Sequence, residues 1–253
     1  MLSVHVLQRR SDHPNRHETL SDLDKLALQY GTDKGSHHHN YVETYESLFE
    51  DIRPSVKSLI EIGAGGVSYK GERCASLQMW RDWFPDAVVV GVDNDPTVQG
   101  DNGPRIQIAI GDQTSKSTLD LAVSMAGGSP NIIIDDGSHI NRLSIATFEY
   151  LWPHLADGGI YVIEDTQCTY TMPVFGNDRV EFDRFLLNLI RCVDVNGRKV
   201  TDRDIADLNK MGDFALNTYE STVQSVLAVR GMVAVTKRQR PLSPGNTEVA
   251  AAG

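Results

Sequence analysis

Asn131 to His139 reads N-I-I-I-D-D-G-S-H, and the rest of the chain can be placed around it. Three β-branched apolar residues run directly into two carboxylates, a glycine, a serine and a histidine. A short, wholly apolar run followed by turn residues predicts a strand buried on both faces, as in a parallel sheet. Open α/β sheets bind ligands at the carboxyl ends of their strands. Asp135, Asp136 and His139 therefore fall where chemistry is done. A second acidic strand end, G-I-Y-V-I-E-D at 159 to 165, lies downstream. Two neighbouring strands bringing Asp136, Glu164 and Asp165 to one edge make a hard-cation site, with all-oxygen donors that suit Mg²⁺ better than Zn²⁺. His139 lies beside it as a candidate general base. The same acids also suit helix N-caps, which a single acidic strand end would not exclude.

The flanking pattern alternates. Strands are predicted over Ser58–Ile62, Ala87–Val92, Arg105–Ile110, Ile132–Asp135 and Ile160–Glu164. Helices are predicted around Leu77–Phe84, Leu119–Ala126, Leu143–Leu155 and Val180–Cys192. Strands alternating with helices imply right-handed βαβ units and a parallel sheet. Val223–Val229 and Met232–Thr236 flank Arg230-Gly231 and read as a hairpin, which adds an antiparallel strand to one side. Upstream, Leu20, Leu23, Leu26 and Tyr30 recur at helical spacing between Ser21 as N-cap and Gly31 as stop. Tyr41, Tyr45, Leu48, Phe49 and Ile52 form a second stripe ended by Arg53-Pro54. The organisation expected is a tail over 1–18, a short helical cap over 19–57, the α/β domain over 58–238 and a flexible tail over 239–253. Residues 193 to about 219 are polar and carry no clear pattern.

The chain has 253 residues and a formal charge of -10. No long Lys/Arg cluster breaks the acidic balance, which argues against a phosphate track for nucleic acid. Cys74, Cys168 and Cys192 form no C-x-x-C framework and are expected as free thiols in a reducing compartment. There is no signal-like leader and no run of ~18 apolar residues. The expectation is a soluble cytoplasmic protein that does not engage a membrane.

Glu61-Ile62-Gly63-Ala64-Gly65-Gly66 follows the first strand, and its glycines let backbone approach a ligand closely. Ser68 stands where G-x-G-x-x-G needs its third glycine, so a pyrophosphate cradle is incomplete. Asp93 ends the second strand, where an acid can accept both ribose hydroxyls. Asp112 and Gln113 follow the third, where a side chain could meet an adenine amino group. Together they fit a nucleoside ligand without a pyrophosphate, such as S-adenosylmethionine. Plain tight turns remain the alternative for the glycine loop taken alone.

These residues resemble a known family: the S-adenosylmethionine- and magnesium-dependent sugar O-methyltransferases of antibiotic biosynthesis. The resemblance is carried by G-T-D-K-G-S-H-H-H-N-Y-V-E-T-Y-E at 31–46, E-I-G-A-G-G at 61–66 and S-L-Q-M-W-R-D-W-F-P at 76–85. It continues in G-V-D-N-D-P at 91–96, I-I-I-D-D-G-S-H at 132–139 and G-G-I-Y-V-I-E-D-T at 158–166. It covers about residues 20 to 190. It implies a class I methyltransferase fold, a Rossmann-like and mostly parallel sheet with a C-terminal antiparallel hairpin. It implies Asp136, Glu164 and Asp165 as metal ligands and His139 as the base. It implies a cofactor set of Thr32, Lys34, Tyr45, Glu61, Gly63, Gly65, Asp93, Asp112, Gln113 and Asp135. The acceptor implied is a deoxysugar hydroxyl on a glycosylated small molecule, and the assembly a homo-oligomer. Members of the mycinamicin type carry a large extra N-terminal domain, where this chain is expected to have only the short helical cap.

Other residues carry competing readings. His37, His38 and His39 read as a solvated loop or lid before a metal set. Tyr41 and Tyr45 share a helical face and read first as packing. Trp80, Trp83 and Phe84 read as core, and Cys168 as a structural thiol. Thr166 to Phe175 reads as a substrate lid. A phenolic or catechol acceptor, a binding protein without chemistry, and a metal-dependent hydrolase are the alternatives to sugar methylation.

Overall fold

A computed structural model describes residues 20–65, 70, 73–100, 102–171, 178–197 and 217–239. The expected tails over 1–18 and from 240, Gly66 and residues 172–175 of the expected lid lie outside the described residues. The elements run α1 (Asp22–Tyr30), α2 (Val42–Phe49), β1 (Ser58–Ile62), α3 (Ala75–Trp83), β2 (Val88–Asp93) and β3 (Ile106–Ile110). Then come α4 (Lys116–Met125), β4 (Ile132–Asp135), α5 (Asn141–Leu151), β5 (Ile160–Glu164) and α6 (Cys168–Thr171). The chain closes with α7 (Arg179–Gly197), α8 (Thr218–Thr222), β6 (Val223–Val229) and β7 (Met232–Lys237).

The strands form one sheet in the order β3-β2-β1-β4-β5-β7-β6. β1 to β5 pair in parallel, and β7 runs antiparallel between β5 and β6. Chain order reverses between β1 and β4, the switch point where such sheets bind ligands. Register puts Ile62 opposite Asp135, and Asp135 opposite Ile163, so the acidic ends of β4 and β5 arrive level.

Side chains alternate across the sheet with period two. Leu59, Ile132, Ile134, Ile160 and Val162 join α3 on one face. Ile60, Ile62, Ile133, Tyr161 and Ile163 join α4, α5 and α7 on the other. Leu23 and Ala27 of α1 and Val42, Tyr45 and Phe49 of α2 pack into the first of these cores. The α1–α2 pair is thus continuous with the sheet's own packing.

Local chemistry accounts for the boundaries. The Ser21 hydroxyl accepts from Asp24 N at 3.1 Å, and Gly31 ends α1 at φ +76°. The region past Asp165 departs from the loop expectation: α6 adds one short turn there. α7 runs past Cys192 to Gly197, beyond the predicted end. Asn217 and Glu220 form a capping box that starts α8, inside the stretch where the sequence carries no pattern.

Candidate active site

The carboxyl edge of β1, β4 and β5 gathers an unusually acidic group. At its centre is Lys34, from the loop between α1 and α2, with 0% exposure. Its Nζ donates to Asp136 Oδ2 at 2.6 Å and to Glu164 Oε1 and Oε2 at 2.9 and 2.8 Å. Glu61 Oε1 stands 3.4 Å away. Burial by itself would lower the ammonium's pKa, but Asp136, Glu164 and Glu61 outweigh it and hold the pKa well above the usual lysine value. Lys34 is therefore a charged group with its donors engaged by acids.

The two tyrosines of the second stripe reach adjacent acids. Tyr45 donates its hydroxyl to Glu164, and Tyr41 donates to Asp165 Oδ1 at 2.6 Å. Four residues apart, they lie on one side of the helix. Gln167 Nε2 adds a 2.8 Å bond to Asp165. Burial raises the Asp165 pKa, yet the bonds from Tyr41 and Gln167 prevail and hold it below the usual range.

On the open side, ligand atoms of Asp136, His139 and Asp165 lie within 4.8 Å of one another. His139 Nε2 is 3.5 Å from Asp165 Oδ2. His139 and Asp165 both take positive φ, +56° and +52°. Non-glycine residues in that region carry strain of the kind that clusters at functional sites. The donor set, two carboxylates and an imidazole with more buried acids behind, fits a divalent cation. Glu164 is not drawn into that group; Lys34 and Tyr45 hold its carboxylate, though it lines the same cleft. The cleft is small and is walled by His139, Asn141, Ser144, Thr166, Thr169 and Phe182 among others.

The expected cofactor residues fall on the same edge. Glu61 is completely buried, and neither carboxylate oxygen has a hydrogen bond. Burial pushes its pKa up to about 7, against the pull of Lys34. Asp135 is also buried, leaves Oδ2 without a hydrogen bond and is pushed up to about 6 by burial. Buried carboxyls with acceptor capacity to spare suit a ligand that brings cationic or hydroxyl donors, as S-adenosylmethionine does. Gly65 N donates to Asp93 Oδ2 at 2.6 Å, and a Cβ on Gly65 would lie 2.6 Å from that oxygen. Asp95 N takes the other Asp93 oxygen at 2.8 Å. A carboxylate has lone pairs left for ribose hydroxyls after both bonds. Gly63 takes φ +86°, and a Cβ there would strike the Asp136 carbonyl.

Other expected contacts are engaged internally. Asp112 Oδ1 accepts from the amide and hydroxyl of Thr114 at 2.7 and 2.6 Å. Gln113 donates to Thr147 at 3.1 Å and accepts from Ser138 N at 2.9 Å, bracing the D-D-G-S-H turn. Thr32 is buried and its amide helps close α1 on Ala27 O at 3.1 Å. Asp33, His38 and His39 also bring ligand atoms within 4.8 Å of one another, in a largely exposed loop. The His39 ring stacks on Tyr41 at 5.0 Å. Cys74, Cys168 and Cys192 are buried and form no disulfide. Among the described residues, no helix is long and apolar enough to cross a membrane.

No protein-family model matches the chain. Curated proteins do. A tetracenomycin rhamnosyl 2'-O-methyltransferase of Streptomyces olivaceus is 38% identical over 149 residues, 58% of this chain and 38% of that protein. The mycinamicin VI 2''-O-methyltransferase of Micromonospora griseorubida is 37% identical over 155 residues, 61% and 38% of the two chains. These curated relatives of the chain are named as O-methyltransferases. The MycE methyltransferase of the mycinamycin pathway, solved with Mg and SAH, aligns at a TM-score of 0.72 and 27% identity. That alignment covers 92% of this chain and 58% of the other. The MycE complex with Mg, SAH and mycinamycin VI gives a TM-score of 0.69 at 28% identity, covering 90% and 57%. The fold is that of a class I O-methyltransferase, and the matched region spans about four-tenths of the length of these curated relatives.

The sequence pattern located the acids but not what holds them. Lys34 was expected among the cofactor contacts; its ammonium donates to Asp136 and Glu164. Sequence reasoning missed Gln167 at the site, and it read Tyr41 first as packing rather than as a partner of Asp165. The four-residue spacing of Tyr41 and Tyr45, against the adjacent pair Glu164-Asp165, is the signal that could have found the Tyr41 contact.

Proposed function

We propose that this chain transfers the methyl group of S-adenosylmethionine to a hydroxyl of a deoxysugar on a glycosylated natural product. The observation that carries the reading is the convergence of Asp136, His139 and Asp165 beside buried Glu61 and Asp135. A sugar hydroxyl is a weak nucleophile near neutral pH, so its proton must leave as the bond forms. His139 is placed to receive that proton, with Asp165 Oδ2 3.5 Å from its Nε2 to orient the ring. The acceptor oxygen forms a bond to the methyl carbon while the carbon–sulfur bond breaks, leaving S-adenosylhomocysteine. A bound Mg²⁺ would supply Lewis acidity that lowers the hydroxyl's pKa, with Asp136, Asp165 and Glu164 as its candidate ligands. Glu61, Asp93, Gly63 and Gly65 form the candidate cofactor floor, and holding oxygen, carbon and sulfur in line supplies much of the remaining rate.

The mostly polar lining, Asn141, Ser144, Thr166 and Thr169 with the one phenyl ring of Phe182, supports a sugar over a phenolic acceptor, although Thr169 and Asn141 bond each other at 2.8 Å. The reading carries with it a cytoplasmic enzyme, a homo-oligomer and no nucleic-acid or membrane partner. Calorimetry with S-adenosylhomocysteine tests its first half: binding is expected, together with a rise in melting temperature by mass action. NAD should not bind. Asp93→Ala should weaken S-adenosylhomocysteine by about tenfold or more, the worth of hydrogen bonds to a charged acceptor. Mass spectrometry of deoxyhexosylated acceptors incubated with S-adenosylmethionine tests the second half. Binding of NAD in place of S-adenosylhomocysteine would remove the assignment.

A further inference from the structure

We propose that Lys34 is a built-in counter-cation for the acidic cluster: a positioning residue that holds Asp136 and Glu164 in place without metal and loosens the grip of the site on its divalent ion. The inference deepens the reading of the site as a divalent-cation centre and rests on that reading. Lys34 joins the ends of β4 and β5 through Asp136 and Glu164, and faces Glu61 of β1 at 3.4 Å. A lysine has three N–H donors, and three carboxylate oxygens lie within 2.9 Å of Nζ. No donor remains for a cofactor, and the side chain is almost wholly shut off from solvent.

The geometry has an inner and an outer side. Lys34 and Glu164 are buried, with side chains 1% and 2% exposed. Asp136, His139 and Asp165 are partly open, at 20%, 23% and 15%. A cation entering from the cleft therefore meets carboxylates already partly neutralised from behind. Like charges a few ångströms apart repel strongly at low effective dielectric. Lys34 thus has two opposed consequences. It spares the metal-free protein a set of uncompensated buried acids, and it lowers the affinity for the ion that completes the site.

The test compares wild type, Lys34→Met and Lys34→Arg, using Mn²⁺ as the paramagnetic probe for a hard divalent cation. Lys34→Met should melt lower in chelator by on the order of 10 °C, because it breaks a buried charge network. It should bind Mn²⁺ at least about tenfold more tightly. Lys34→Arg keeps the charge and should stay near wild type on Mn²⁺ affinity. Lys34→Met, Glu61→Gln removes one charge of each sign and should regain part of the lost melting temperature. If Lys34→Met does not fold, the Mn²⁺ comparison is made between that double variant and Glu61→Gln alone, with the same tightening expected. Unchanged or weaker Mn²⁺ binding in the lysine-free protein overturns the proposal, as does Mn²⁺ binding by neither protein. Loss of S-adenosylhomocysteine affinity with melting and Mn²⁺ unchanged would also overturn it, making Lys34 a cofactor contact. Failure of wild type to bind S-adenosylhomocysteine would sink the methyltransferase reading and leave the Mn²⁺ comparison standing.

Discussion

At the residue scale the behaviour of the site turns on where its charges sit. His139 is held at φ +56° between Ser138 and α5, with its imidazole toward Asp165. His139→Ala should lower kcat by about 10²–10⁴-fold, the usual worth of a positioned base. S-adenosylhomocysteine affinity should hardly change, since the imidazole faces the acceptor side. Because the backbone there favours glycine, His139→Gly should melt higher than His139→Ala while turning over no faster. A normal kcat per cofactor-binding site in either variant would end the base assignment. Glu61 gives a prediction in pH. Its pKa rises on folding from 4.5 to about 7. Its contribution to stability is therefore intact below 4.5 and lost as pH rises through about 7. Metal-free protein should lose urea resistance across that window, by at most ~1.4 kcal/mol per pH unit. Glu61→Gln should flatten the decline; an equal slope in both proteins would show that Glu61 does not titrate there.

At the element scale, the β6–β7 hairpin does more than extend the sheet. Its turn glycine, Gly231, takes φ +78°, and its carbonyl accepts from Thr166 N at 3.2 Å. A Cβ there would lie 2.5 Å from the Tyr41 hydroxyl, the group that bonds Asp165. Gly231→Ala is expected to cost on the order of 1 kcal/mol for the left-handed backbone. It should also push Tyr41 off Asp165 and weaken Mn²⁺ binding severalfold. Tyr41→Phe should reproduce the second effect without the first. Wild-type Mn²⁺ affinity in both would separate the hairpin from the site. The hairpin was legible in the sequence because Arg230-Gly231 divides two β-rich runs. Its placement between β5 and the open edge, which brings Gly231 under Tyr41, was not, since strand order depends on pairing across the whole chain.

At the scale of the whole molecule, the α1–α2 segment behaves as part of the domain. Leu23, Val42, Tyr45 and Phe49 are at most 2% exposed and share a core with β1, β4 and β5. Burying four such side chains contributes roughly 6–12 kcal/mol, comparable with the whole stability of a domain. The same segment supplies Lys34, Tyr41 and Tyr45 to the acids. A chain starting at residue 58 should therefore be insoluble or molten, with no cooperative melting and no S-adenosylhomocysteine binding. A cooperatively folding fragment of that kind would restore the idea of a separable cap.

The sequence by itself determined the alternation of strands and helices, their limits to within a few residues, and the two acidic strand ends. Those features are local: β-branched runs, capping residues such as Ser21 and Gly31, and turn glycines carry them over a few positions. It also placed His139 next to the acids, because it follows Asp136 by three positions in a turn. Only the tertiary structure decided which partners those acids meet. Lys34 lies 102 positions from Asp136 and 130 from Glu164, and Tyr41 lies 124 from Asp165. Nothing in the local pattern of T-D-K-G states that its lysine will be buried. The lysine is buried because α1 and α2 close over the sheet edge, and a charge removed from water there must be met by opposite charge.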